Sequence, residues 1–156
     1  MKKVLIALDY DPTAQKIAEA GCSWARSMKA QVILLHVITD PAYYSSLEYS
    51  PITGFAGYMD MSNTHLDSID GLMRASQQYL EKTKHHLGDK EIQTSVKEGD
   101  IAASILHTAK ELHADVIVMG SHSRNWLENI VMGSVTEKVL HGTSIPLFII
   151  PMKKKT

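Results

Sequence analysis

Ala114-Asp115-Val116-Ile117-Val118-Met119-Gly120-Ser121-His122-Ser123, then nine intervening residues, then Gly133-Ser134, is the stretch that decides the fold. Residues 114–119 form an apolar run of the kind expected of a parallel strand covered on both faces. The run ends in Gly120, a polar segment follows over 121–129, and a helix is expected over about 134–141. A strand that turns through glycine into a helix brings amide N–H groups to bear on a crevice. At Ser134, Val135 and Thr136 those amides lack intrahelical partners, and the helix dipole there favours an anion. Glycine lets backbone approach phosphate oxygens closely. The competing reading is that Ser134 and Glu137 form an S-x-x-E capping box and no ligand is involved.

Working outward, residues 146–150 supply a last apolar strand, with Gly142 expected to stop the preceding helix. Upstream, Gly99-Asp100 caps a helix carrying Ile101, Ile105, Ala109 and Leu112 on one face. Residues 91–96 alternate more and suit a strand near the sheet edge. A long helix precedes them, with Leu66, Ile69, Met73, Ser76, Leu80, Thr83 and Leu87 along one seam and Gly88 at its end. Gln31 to Val37 is another buried strand. The first strand, Val4 to Leu8, is followed by Asp11-Pro12 as cap and first helical residue. The helix after it carries Ala14, Ile17, Ala18, Gly21, Ala25 and Met28. The order β-α-β-α-β-α-β-α-β specifies an α/β fold with five parallel strands and helices on both faces. The strand orders 3-2-1-4-5 and 2-1-3-4-5 are both open. The first is preferred because the glycine-rich connection follows strand four, which puts the crevice at Asp9 and Gly120.

One segment, residues 39–64, has no periodicity and is far longer than the usual connection of about 2–6 residues. It holds Tyr43, Tyr44, Tyr49, Tyr58, Phe55, Met59 and Met61. It reads equally as a lid or partner-contact segment and as an insertion without a role. The 156 residues are expected to form a single domain containing that insertion.

Lys plus Arg number 16 against 17 Asp plus Glu, a formal net charge of −1, which argues against a nucleic-acid or membrane-surface protein. The basic run Lys153-Lys154-Lys155 reads as a solvated tail. Cys22 stands alone in a helical pattern, so a buried inert thiol and a reducing, cytoplasmic setting are expected. The opening apolar run ends at Asp9, too short for a signal peptide or a membrane span.

Enzyme signatures are missing from the sequence. It contains no GxxxxGK[ST], no G-x-G-x-x-G and no G-x-S-x-G. The eight histidines do not read as a metal site. His85 and His86 are adjacent and diverge by about 100° on a helix. His36 falls in a strand, and His107, His113 and His141 fall on helices without ligand spacing. His122 alone lies in the glycine-rich connection.

The chain resembles the universal stress proteins. The resemblance runs through VLIALD, LLHV, the EGD before the third helix, DVIVMGSH, GSVTEKVL and SIPLFIIP. Nucleotide-binding members carry G-x2-G-x9-G-[S/T] after strand four. Here its second glycine is Ser123, which adds a Cβ in the loop and a hydroxyl that could reach a phosphate. Asp11 replaces the serine often found after strand one. The resemblance implies a Rossmann-like, adenine nucleotide alpha hydrolase-like fold that binds ATP or AMP, with Mg²⁺ as a possible companion, and is at most a slow ATPase. By position it implies Asp9 and Ala7 beside the adenosine, and backbone of Val37 at the base. Met119 and Gly120 fall under the ribose and Gly99 at its edge, with Gly133, Ser134, Val135 and Thr136 at the phosphates. His122, Ser123 and Arg124 flank them. It further implies a homodimer through the edge strand Leu147 to Ile150 and an unidentified protein partner. Two rival classes are a member that has lost the nucleotide and serves as a protein-interaction module, favoured by Ser123, and a phosphorelay receiver. The receiver is disfavoured because Lys97-Glu98-Gly99 stands where its phosphoacceptor aspartate belongs.

Overall fold

The computed structural model describes residues 1–9, 13–39, 69–121 and 132–152. In chain order the elements are β1 (Lys3–Ala7), α1 (Ala14–Ser27), β2 (Gln31–Ile38), α2 (Ile69–Leu87), β3 (Gln93–Glu98), α3 (Ile101–Glu111), β4 (Val116–Gly120), α4 (Ser134–Gly142) and β5 (Leu147–Ile150). The strands form one sheet in the order β3-β2-β1-β4-β5. Every pairing is parallel, with β1 central between Ala7↔Leu35 on one side and Ile6↔Val118 on the other.

Successive strand residues point to opposite faces, so the continuous apolar runs of β1, β2 and β4 build two cores at once. On one face Val4, Ile6, Leu34 and Val118 pack beneath Ile17, Ala18 and Cys22 of α1 and Leu72, Tyr79 and Leu80 of α2. On the other, Leu5, Leu35, Ile117 and Met119 pack against Ile105 and Ala109 of α3 and Val139 of α4. Leu5, Leu34 and Leu35 are fully buried, and truncating one to alanine costs about 2–5 kcal/mol. The flanking strands read differently because they sit at the edges. QTSVKE of β3 has no fully buried residue, and Phe148 of β5 is 37% exposed. Cys22 is buried, and desolvation pushes its thiol pKa up, which makes it unreactive.

Several local expectations shift. Helix α1 begins at Ala14 with Thr13 in the cap position, later than an Asp11 cap would place it; Asp11 and Pro12 lie outside the described residues. Met28, expected on the apolar face, is 41% exposed because it sits past the end of α1, at its C-cap. The buried seam of α2 runs through Leu72, Ala75, Ser76, Tyr79, Leu80 and Thr83, so Ile69, Met73 and Leu87 fall on its margin. His113 is in the turn after α3 at φ 55°, not on the helix. Gly88 ends α2 at φ 70°, its amide donating to the carbonyls of Lys84 and His85, as a glycine C-cap should. Gly142, in contrast, is the last residue of α4, and a Cβ there would meet Leu106 Cδ1 at 2.8 Å. Its role is close packing of α4 on α3. Residues 40–64 of the irregular segment, Leu66 and Lys153-Lys154-Lys155 lie outside the described residues. Among the described residues no helix is long and apolar enough to cross a membrane.

Candidate functional site

Strand order reverses between β1 and β4, and at that point the chain leaves the C-terminal ends of both strands for helices on opposite faces. The crevice is therefore walled by Leu8 and Asp9 after β1, by Gly120 and Ser121 after β4, and by the start of α4.

Helix α4 opens with Gly133 in the cap position at φ −69°, ψ 157°, a residue with no side chain to cap it. The first intrahelical bond runs from Glu137 N–H to Gly133 O at 2.9 Å. The preceding amides of Ser134, Val135 and Thr136 thus have no intrahelical acceptor. Ser134 is the first helical residue rather than the cap, so the S-x-x-E capping box does not form in that register. Thr136 is 3% exposed, and its hydroxyl donates to Gly120 O at 2.9 Å. That hydroxyl holds α4 to the end of β4, which leaves Thr136 its backbone for any ligand.

Ser121 fastens the same corner by three bonds. Its amide donates to Ile150 O at 2.9 Å, its carbonyl accepts from Gly133 N–H at 2.6 Å, and its hydroxyl accepts from Met152 N–H at 2.8 Å. Gly120 has a packing reason to be glycine, since a Cβ would meet Ile17 Cδ1 at 2.5 Å and Met152 Cγ at 3.3 Å. Met119 beside it is buried.

Across the crevice Ala7 ends β1 opposite Leu35, and Leu8 N–H donates to Leu35 O at 2.8 Å. Backbone polar groups of alternate residues in a strand point to the same side, so Val37 faces β1 as Leu35 does. Because β1 ends at Ala7 opposite Leu35, Val37 has no residue of β1 opposite it. In this register the carbonyl that would take the Val37 N–H is that of Leu8, and there the His36 Nδ1–H donates at 2.7 Å. His36 is 2% exposed. Burial pulls its pKa down to about 4 against the opposing effect of the Leu8 bond, so the imidazole is neutral at ordinary pH. Tyr79 stands edge-on to that ring with centroids 6.3 Å apart and donates its hydroxyl to Asp9 O at 3.3 Å.

Gly99 lies beyond β3 at φ 134°, where only glycine rests without strain, and its amide donates to Ile38 O at 2.9 Å. Asp100 caps α3 by accepting from Ala103 N–H at 2.9 Å. A cavity of about 590 Å³ is lined by Gly99, Asp100, Ile101, Ala102, Glu98, Thr39 and Ile69 from one side and Val135 and Lys138 of α4 from the other. Such a volume suits a small-molecule ligand.

Of the residues singled out in the sequence, Gly99 and Val135 thus share one cavity. Ala7, Asp9, Val37, Met119, Gly120, Gly133, Ser134 and Thr136 lie at the strand ends and helix start around the crevice. His122, Ser123 and Arg124 lie outside the described residues. The sequence reading weighed His36 only as a metal ligand and quoted Ser121 only as part of the glycine-rich connection, and it did not pick out Tyr79. The signal available for His36 is a histidine in an otherwise apolar, buried strand.

The sequence model of the Universal stress protein family matches residues 1–151. Universal stress protein MJ0577 of Methanocaldococcus jannaschii is 29% identical over 156 residues, covering 97% of this chain and 96% of its own length. Its solved structure matches with a TM-score of 0.73 at 27% identity, covering 99% of this chain and 98% of that one. Universal stress protein A homolog 2 of Coxiella burnetii is 28% identical over 153 residues, covering 97% of this chain and 96% of its own. A universal stress protein of Archaeoglobus fulgidus, solved in complex with dAMP, shares the fold with a TM-score of 0.55 at 16% identity, covering 96% of this chain and 98% of that one.

Proposed function

The chain belongs to the universal stress protein family, and from that premise we propose that it is an adenine-nucleotide-binding regulatory module that holds ATP or AMP and hydrolyses ATP at most slowly. The observation that carries the proposal is the start of α4. Gly133 caps it without a side chain, and the amides of Ser134, Val135 and Thr136 open at the strand-order reversal. The base and ribose belong toward Ala7, Asp9 and the backbone of Val37, with Met119 and Gly120 beneath the sugar and Gly99 at its edge. The phosphates belong at residues 133–136, with His122, Ser123 and Arg124 beside them and Mg²⁺ shared with the outer oxygens. Thr136 contributes its amide, since its hydroxyl is held by Gly120.

The module acts as a homodimer in this proposal. Among the described residues strand β5 has one strand neighbour, β4, which leaves its other edge without a strand partner. Phe148 on β5, 37% exposed, supplies apolar surface on that strand. Cytoplasmic placement belongs to the same proposal.

The test is to denature the freshly purified chain and identify released nucleotide by ion-pairing chromatography, then to offer radiolabelled ATP to the stripped protein. Release or uptake of an adenine nucleotide approaching one per chain supports the proposal. A chain that releases none and takes up none contradicts it.

A further inference from the structure

We infer that His36 and Tyr79 are positioning residues for the adenosine end of the site, holding the Leu8–Asp9 backbone at the conformation in which the crevice is open to a base; the inference rests on the nucleotide reading above. Neither residue is placed to touch a ligand in that reading. Both side chains instead reach the consecutive carbonyls on which β1 ends. His36 Nδ1–H holds Leu8 O at 2.7 Å, and Tyr79 O–H holds Asp9 O at 3.3 Å.

The two side chains come from different elements, β2 and α2, and meet edge-to-face with centroids 6.3 Å apart. Each side chain is buried, at 2% and 7% exposure, and the His36–Leu8 bond is sheltered from competing water while the Tyr79–Asp9 bond is partly so. Their effect follows from the register. The Leu8 amide is bonded to β2 at 2.8 Å to Leu35 O. The next bond of a parallel ladder would join Val37 N–H to Leu8 O. With the imidazole on that carbonyl, β1 turns away from β2 one residue early and the backbone of Val37 faces the crevice. Without it, Leu8 O is a partner within reach for Val37 N–H, and the ladder closes over the place where a base edge would bond. Burial keeps the imidazole neutral, so the contact is a dipolar one and persists across ordinary pH.

The experiment uses His36→Leu, which keeps an apolar volume but removes the donor, His36→Asn, whose amide nitrogen stands where Nδ1 stood, and Tyr79→Phe, which removes only the hydroxyl. Adenosine and inorganic tripolyphosphate are titrated into each, and exchange of the Val37 amide is followed by NMR without ligand. The expected result is about tenfold weaker adenosine binding in His36→Leu, recovery to near wild type in His36→Asn, and about threefold weakening in Tyr79→Phe. Tripolyphosphate binding is unchanged in all three, and Val37 amide exchange slows in His36→Leu alone of the two His36 variants. Adenosine binding at wild-type strength in His36→Leu overturns the inference. So does an equal loss for adenosine and tripolyphosphate, or failure of His36→Asn to recover. A wild-type chain that binds neither probe refutes the nucleotide reading instead, and Val37 amide exchange then decides the clamp by itself.

Discussion

Gly120 illustrates how a site glycine can be required by the fold, and the requirement can be measured. Adding a Cβ brings it to 2.5 Å from Ile17 Cδ1, far inside contact distance, and to 3.3 Å from Met152 Cγ. Ile17 is 4% exposed and packed among Val4, Ile6 and Val118, so it has little room to turn aside. Overpacking of this kind costs about 1–3 kcal/mol, which is the expected loss for Gly120→Ala. Ile17→Val deletes the offending Cδ1 and costs about 0.5–1.5 kcal/mol by itself. In the double variant the new methyl occupies the space that Cδ1 vacated. Its stability should therefore lie near that of Ile17→Val, giving a favourable coupling of about 1–2 kcal/mol. Urea unfolding of wild type, both single variants and the double variant, followed by far-ultraviolet circular dichroism, measures that coupling. Additivity within about 0.3–0.5 kcal/mol would refute the steric reasoning.

Three further outcomes are expected. The unfolded imidazole of His36 takes a proton near 6.5 and the folded one only near 4. Its contribution to stability is thus complete above about pH 6.5 and is lost as pH falls toward 4, a change of about 3 kcal/mol. Subtracting the pH dependence of His36→Asn from that of wild type isolates it, and identical profiles would contradict the burial argument. Gly99→Ala forces an L-residue to φ 134° and should cost about 1–3 kcal/mol, read as a lowered thermal midpoint; an unchanged midpoint would mean the turn relaxes freely. Phe148→Asp places a charge on the β5 edge and removes a ring stacked on Trp24 at 4.9 Å. Light scattering should find wild type as a dimer and the variant as a folded monomer, whereas a monomeric wild type would remove the edge-strand interface.

The architecture was readable because burial on both faces leaves an unmistakable trace: QVILLHV, VLIAL and DVIVM carry no period-two alternation. The order 3-2-1-4-5 followed from placing the glycine-rich connection at the strand reversal, and the pairing of β1 with both β2 and β4 agrees. Details that depend on partners distant in sequence were not readable. Ser134 and Glu137 have capping-box spacing, but Ser121 O takes the Gly133 amide at 2.6 Å, and α4 starts with Gly133 as its cap. The seam of α2 is set by what lies under it on β2 and β3, which moved burial to Leu72, Ala75 and Tyr79. The Leu8–His36 and Asp9–Tyr79 bonds span 28 and 70 residues, and no local pattern announces either. Gly142 satisfied a stop signal by type, yet the closeness of Leu106 is what asks for glycine there.

Gly133→Asp gives the most direct test of nucleotide binding at the start of α4. At φ −69° the position accepts any L-residue, and an aspartate there is a favourable helix cap. The variant should fold at least as stably as wild type while its carboxylate occupies the amides of the first turn and repels phosphate. Calorimetric titration of MgATP into the nucleotide-stripped proteins should find micromolar binding to wild type and loss of about a hundredfold or more in the variant. Equal binding by the two, or no binding by wild type, would contradict a phosphate site at the start of α4.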